Sequence, residues 1–200
     1  VFAVDGGSTD GTLKFFKERG LKVLPQRSKG RGEAFRLASN KADGDVLFFF
    51  SPDGNEDLND LIKFKKYFTE KDCDLVIASR MMKGAHNEED VNFFKWRKWA
   101  NNAFNLLANL FFRKKGPYVT DSINGFRAIK KLKFEELSLD GNGYTIEYQM
   151  TIRAFKHGLK IFEFPTHEAA RIGGESYAKS IPTGIKFLKV LFQELFRSYK

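Results

Sequence analysis

Five consecutive apolar residues, Val46-Leu47-Phe48-Phe49-Phe50, run straight into Ser-Pro-Asp-Gly-Asn-Glu-Asp at 51–57. An apolar run of this length bounded by turn formers reads as a strand buried on both faces, the kind found in parallel sheets. Pro52 has no N–H to donate, so the ladder must end there. Similar short runs occur at 1–4, 21–24 and 75–78, separated by helical patterns at about 10–19, 31–42 and 58–71. This β-α-β-α-β-α-β order predicts an α/β fold, a mainly parallel sheet flanked by helices in three layers. Ligands of such sheets sit at the carboxyl ends of the strands, where Asp53, Glu56 and Asp57 crowd together. The chain opens inside a strand, Val1–Val4, with no preceding cap, so a strand upstream of it is expected to be missing.

Two hundred residues suffice for one substantial domain. The single cysteine, Cys73, excludes an internal disulfide, and the histidines at 86, 157 and 167 lack metal-ligand spacing. A net charge of +9 points to an anionic partner: a nucleic acid, a phosphorylated ligand or a membrane surface. No nucleic-acid recognition motif accompanies the charge, so no nucleic-acid partner is expected. The most apolar stretch, 99–112, has four Asn in 14 residues and is too short and too polar to span a bilayer.

Beyond Arg80 a long helix is predicted over about 89–114. Its wheel gathers Trp96, Trp99, Ala100, Ala103, Phe104, Leu106, Leu107, Leu110 and Phe111 on one arc, with Arg97 and Asn101 together at its edge. A helix near 144–157, a strand near 159–165 and a last helix over 183–199 complete the pattern. In the last helix Ile185, Leu188, Leu191, Phe192, Leu195, Phe196 and Tyr199 share a face, with Lys186, Lys189, Arg197 and Lys200 on or beside the opposite one. Two readings fit: a helix docked on the core, or one lying in an anionic membrane surface. The expected division is a catalytic domain over 1–182 and an amphipathic C-terminal helix over 183–200.

The stretch VDGGSTDGT at 4–12 joins a strand, a carboxylate and two glycines to a helix start, which lets a ligand approach the backbone closely. It lacks the GxGxxG order of dinucleotide-binding folds, and no GxxxxGK[ST] P-loop occurs. Taken in order, VDGGSTDGT, GRGEAF, FFFSPDGN, VIASR, the Arg97-to-Asn101 helix, DSINGFRA and RIGGES resemble the motifs of family 2 glycosyltransferases of the glycosyltransferase A fold. Within that family they look like the dolichyl-phosphate mannosyltransferase and polyprenyl-phosphate glycosyltransferase branch.

The resemblance implies an inverting hexosyltransferase, taking mannose or glucose from a nucleotide-diphosphate sugar to a polyprenyl or dolichyl phosphate. It also implies a divalent metal, Mg²⁺ or Mn²⁺, since sugar transfer from a nucleotide diphosphate has a charged leaving group. Ser51, Asp53 and Asn55 match the family's metal positions, with Ser51 standing where a first carboxylate is usual. Asp5 matches the nucleotide contact and Arg31 the diphosphate-side cation. Arg80, Arg97 and Asn101 match the acceptor-phosphate positions, and Arg is suited to bidentate phosphate contact. Arg127 is carried over as substrate-binding, and Arg171 and Ser176 match a loop that folds over both phosphates. Asp53, Arg80 and Arg97 are thus the catalytic candidates; Asp121, Arg127 and Glu147 serve equally well as fold-stabilising groups. The branch works peripherally at the cytoplasmic membrane face, and a membrane partner subunit is compatible with it. The alternatives are a saccharide or protein acceptor, which would call for a carboxylate base, and a degenerate nucleotide-binding protein.

Overall fold

The computed structural model describes residues 1–51, 54–87, 96–169 and 180–198. Strands β1 (Phe2–Asp5), β2 (Lys22–Pro25), β3 (Val46–Phe49) and β4 (Leu75–Ser79) alternate with helices α1 (Thr12–Glu18), α2 (Arg31–Lys41) and α3 (Asp60–Glu70). Helix α4 (Trp96–Phe112), strand β5 (Arg127–Lys130), helix α5 (Lys131–Glu136), helix α6 (Ile146–Lys156), strand β6 (Ile161–Pro165) and helix α7 (Ser180–Phe196) follow.

Among the described residues the strands form two sheets. β1 and β2 pair in parallel, and the second sheet has the order β3-β5-β4-β6. β5 is antiparallel to both β3 and β4, while β4 and β6 are parallel, so β3, β4 and β6 share a direction. The expected parallel character holds, but an antiparallel strand separates the 46–49 and 75–79 strands. α2 ties the sheets together: it packs on β1, and its Phe35 ring stacks on Phe49 of β3 at 3.9 Å.

β3 is one of the two outer strands of its sheet among the described residues, and its exposed side chains correct the expectation of burial on both faces. Leu47 and Phe49 enter the core, whereas Phe48 and Phe50 are each 42% exposed. Their rings still find edge-on partners, Phe48 against Phe64 and Phe50 against Phe126. β4, covered on both sides, is buried at all five positions.

The apolar arc of α4 lies mostly on its outward side. Its buried positions are Asn105, Ala108, Asn109 and Phe112, while Trp96, Trp99, Leu106, Leu110 and Phe111 face outward. The two asparagines bind the backbone of 119–122 as a neighbouring strand would. Asn109 donates to Val119 O (2.8 Å) and accepts from Val119 N (2.9 Å). Asn105 donates to Thr120 O and accepts from Ser122 N, at 2.5 and 2.8 Å. Saturated in this way, buried amides are tolerated in the core.

α7 packs on α4 and α6 and buries Phe187, Val190 and Leu191 in the main core. Glu194, fully buried, receives the Arg153 Nε–H at 2.8 Å and the Gln149 amide at 3.2 Å. Lys156 closes the helix end by donating to Arg197 O at 2.9 Å. The other face, with Ile185, Leu188, Phe192, Leu195 and Phe196, is exposed. Most of the apolar face drawn from the sequence is therefore the outward one. Among the described residues no helix is long and apolar enough to cross a membrane.

Candidate active site

A strand, a Gly-Gly turn and a helix start fix Asp5 at the carboxyl end of β1. Its carboxylate accepts from Gly7 N (2.8 Å), Ser8 N (3.1 Å) and the Ser8 hydroxyl (2.5 Å). These bonds, the hydroxyl foremost, hold the carboxyl below its ordinary range. Gln26 connects this turn to the start of α2, its N–H donating to Asp5 O and its side-chain amide to Gly30 O, both at 2.8 Å.

Arg31 opens α2 and pairs with the buried carboxylate of Glu147 at the start of α6. Desolvation works against the charge on Arg31, but Glu147, with Glu56 and Tyr144, outweighs it and holds the guanidinium above its ordinary range. Glu56 in turn accepts from Ser51 N at the end of β3, at 2.8 Å. The two elements that carry the diphosphate and metal candidates therefore meet.

Asn55, buried to 4% exposure, donates to Glu168 Oε1 at 3.2 Å, and its backbone oxygen accepts from Ala169 N at 2.9 Å. Its side-chain oxygen is buried and has no hydrogen-bond partner among the described residues. An unpartnered amide oxygen is the kind of donor a hard divalent cation accepts, so the residues present fit such an ion. Ser51 lies on the same turn. Asp53 is one of the candidates that falls outside the described residues, as do Arg171 and Ser176. Among the described residues no cluster of three or more His, Cys, Asp or Glu could hold a metal by itself.

At the end of β4, Arg80 is gripped by the fully buried Asp121. Its Nε and Nη2 meet the two carboxylate oxygens at 2.8 and 3.1 Å, and its backbone N–H adds a third bond at 3.1 Å. Nη1 lies 3.5 Å from Glu168 Oε1. Asp121 also accepts from Asn124 N at 3.1 Å. The contacts run in an unbroken chain from Asn55 through Glu168, Arg80, Asp121, Asn124, Arg127 and Glu147 to Arg31.

Arg127 belongs to that chain of contacts as a brace, which corrects its assignment to substrate. It has no solvent-exposed surface. Its donors go to Asn124 O (2.7 Å), Glu147 O (3.0 Å), Thr151 Oγ1 (3.2 Å) and Ser122 O (3.2 Å). Burial pulls the guanidinium down to about 10, so it remains charged at neutral pH.

Arg97 and Asn101 lie on the α4 row that continues to Asn105 and Asn109, spaced four residues apart. Arg97 is exposed and Asn101 half-buried. Asn105 touches Ser122 beside Asp121, so Arg97 stands two turns, about 12 Å, along the helix from that contact. Sequence reasoning missed Asn105, Asn109, Glu163 and Glu168; the four-residue spacing from Arg97 was the one signal available for the asparagines.

His86 and His167 meet as well, although 81 positions apart in the chain. Their rings stack at 4.4 Å across an isolated bridge that joins the segment after β4 to the segment after β6.

Comparison with known proteins places this geometry in a family. The family model described as glycosyl transferase family 2 matches residues 1–138. Glycosyltransferase AglJ of Haloferax volcanii is 27% identical over 207 residues, covering all of this chain, which spans 63% of that relative's length. The undecaprenyl-phosphate mannosyltransferase of Micrococcus luteus is 29% identical, over 88% of this chain and 74% of its own. Glucosyl-3-phosphoglycerate synthase from Mycobacterium tuberculosis, solved with Mn²⁺, uridine-diphosphate-glucose and phosphoglyceric acid, superposes with a TM-score of 0.75. That likeness covers 98% of this chain and 69% of the other at 18% identity, and it shows the fold, glycosyltransferase A. The chain belongs to glycosyl transferase family 2.

Proposed function

We propose that this chain carries the catalytic centre of an inverting transferase that moves a hexose from a nucleotide-diphosphate sugar to a polyprenyl or dolichyl phosphate. The relative named for undecaprenyl phosphate supports a lipid-phosphate acceptor. The observation that carries the reading is that α4 and α7, packed against each other, each expose large apolar side chains. Trp99 is 58% exposed and Phe196 85%, on two helices packed against each other. One of these helices also bears Arg97 and Asn101. An apolar face beside a cation suits a lipid whose head is a phosphate, and Lys186, Lys189 and Arg197 suit an anionic leaflet. The expected location is peripheral, at the cytoplasmic face of a membrane.

The acceptor phosphate is ionised at neutral pH, so its oxygen attacks the anomeric carbon without a general base. A new carbon–oxygen bond forms as the bond to the nucleoside diphosphate breaks, and the configuration inverts. Arg80, fixed by Asp121, and Arg97 orient the attacking phosphate, and Arg31 faces the departing diphosphate. Asp53 and Asn55, with Ser51, would hold a divalent cation that offsets the charge of the leaving group. Catalysis then rests on positioning and electrostatic stabilisation.

The test incubates the full-length protein with membranes and a panel of labelled nucleotide-sugars. Label in an acid-labile lipid fraction is the expected result. Label only in water-soluble products would favour a non-lipid acceptor.

A further inference from the structure

Both partners of the Arg80–Asp121 pair are tied, on the side away from the pair, to one carboxylate that no motif singled out. Glu163 lies on β6 with Ile161 on the same face, under the segment 119–122. Its Oε2 accepts from Thr120 N at 2.7 Å and from the Thr120 hydroxyl at 2.9 Å, and Oε1 accepts from Asp121 N at 2.9 Å. A carboxylate only accepts, so the Thr120 hydroxyl must donate to it. That leaves the Thr120 oxygen to accept from the Ser79 hydroxyl, 2.7 Å away. Ser79 Oγ in turn accepts from Met81 N and Met82 N, at 3.1 and 3.2 Å. One side chain therefore fixes the backbone at Asp121 directly and the turn carrying Arg80 through two hydroxyls.

We propose that Glu163 is the positioning residue of this centre, its carboxylate setting the geometry of the Arg80–Asp121 pair by holding the backbone on both sides of it. The role does not require Glu163 to touch a substrate. The proposal's consequence for the acceptor rests on the lipid-phosphate reading above; the geometry does not.

The network has a definite polarity. Three donors converge on two oxygens, so a glutamine at 163 must turn its NH₂ toward either Thr120 N–H or Asp121 N–H. Protonation of the carboxyl has a similar effect, because the added hydrogen faces donors. Desolvation raises the Glu163 carboxyl to about 7, against the pull of the Thr120 and Asp121 bonds. The ionisable groups around it are Asp121 and Tyr118 on the preceding loop, Arg127 on β5, Arg80 at the end of β4, and Tyr67 on α3. Tyr67 donates to the Glu163 backbone oxygen rather than to its carboxylate.

The experiment follows the amide signals of Thr120 and Asp121 and the Arg80 Nε–H by NMR from pH 5 to pH 9, in wild type and Glu163→Gln. In parallel, transfer is measured with farnesyl phosphate as acceptor. The expected result is one shared midpoint near pH 7 for all three signals in wild type, absent in Glu163→Gln. Farnesyl phosphate kcat/KM should fall about 30-fold in the variant with the donor KM unchanged. An Arg80 signal that neither titrates with the Asp121 amide nor moves in Glu163→Gln overturns the inference. Shared titration without any transfer to farnesyl phosphate would leave the positioning role standing and remove the lipid acceptor instead. Should Glu163→Gln fail to fold, Thr120→Val and Thr120→Ser decide: the first cuts the hydroxyl relay and should shift the Arg80 signal, the second keeps it. Equal Arg80 signals in the two would overturn the relay.

Discussion

The guanidinium of Arg31 fills the space into which a Cβ on Gly125 would project, so any larger residue at 125 displaces the end of that side chain. Gly125 has no left-handed backbone requirement; the constraint is steric. Gly125→Ala must push Arg31 away from Glu147, whose carboxylate is buried. A cost of about 1–3 kcal/mol is expected, from overpacking and the weakened pair. The donor KM should rise about tenfold, and thermal unfolding with donor titration measures both. Unchanged values would mean that Arg31 relocates without consequence.

The Arg80–Asp121 pair predicts a strong coupling. Arg80→Ala leaves a fully buried carboxylate without its cation, and Asp121→Ala frees the arginine from its two-point grip. Loss of either partner of such a pair costs about 3–5 kcal/mol. Each variant should lower transfer to lipid phosphate at least about 30-fold. The double variant should be little worse than the worse single one, because the pair acts as a unit. Additive losses would show that the two act separately.

Most of this arrangement could be read from the sequence wherever one element decided its own character. The apolar runs read at 1–4, 21–24, 46–50 and 75–78 are followed by polar or turn-forming residues, and the strands lie there within one residue, at 2–5, 22–25, 46–49 and 75–79. β5 escaped notice because its four residues, Arg-Ala-Ile-Lys, carry a short apolar centre and pass directly into α5. The buried side of α4 was not legible because hydropathy counts asparagine as outward. Asn105 and Asn109 are buried because a segment ten or more residues away offers them backbone partners. Glu163 and Glu168 were beyond reach for the same reason: their partners lie more than 40 positions distant.

α7 predicts an acid-sensitive docking. Desolvation pushes the Asp140 carboxyl up, but hydrogen bonds from Arg197 and Gln149 and the charge of Arg153 outweigh it and leave it at about 2. A carboxylate held below its unfolded value of 3.8 contributes stability above that value and loses it as pH falls toward 2. Asp140 is exposed, so solvent screening limits its contribution to less than about 1 kcal/mol. Acid unfolding curves of wild type and Asp140→Asn should converge below pH 2 and separate above pH 4. Parallel curves throughout would remove Asp140 from the acid response.

The outward face of α7 gives a membrane test that spares the core. Phe192 and Phe196 are exposed, whereas Phe187 and Leu191 are buried, so Phe192→Ser with Phe196→Ser should barely alter unfolding. Each Phe that enters an apolar phase contributes about 1.5–3 kcal/mol. The double variant should lose flotation with anionic vesicles, and wild-type flotation should weaken with salt. Equal flotation of both proteins would assign this face to something other than lipid.

The turn after β3 carries the last prediction. Asn55 presents a buried amide oxygen, Ser51 a neutral hydroxyl, and the sequence supplies one carboxylate between them at position 53. Two unit charges 4 Å apart attract by roughly 4 kcal/mol at an effective dielectric of about 20, before desolvation is subtracted. A divalent ion gains about twice that from a carboxylate, so replacing a usual Asp by Ser51 should weaken binding substantially. Ser51→Asp should therefore bind Mn²⁺ more tightly than wild type, read directly by water-proton relaxation and independently of turnover. Asp53→Ala should abolish both binding and transfer. In the same series Asn55→Ala should weaken binding by less than Asp53→Ala, since an amide contributes an oxygen but no charge. Mn²⁺ binding that is indifferent to all three substitutions would mean that this turn holds no cation.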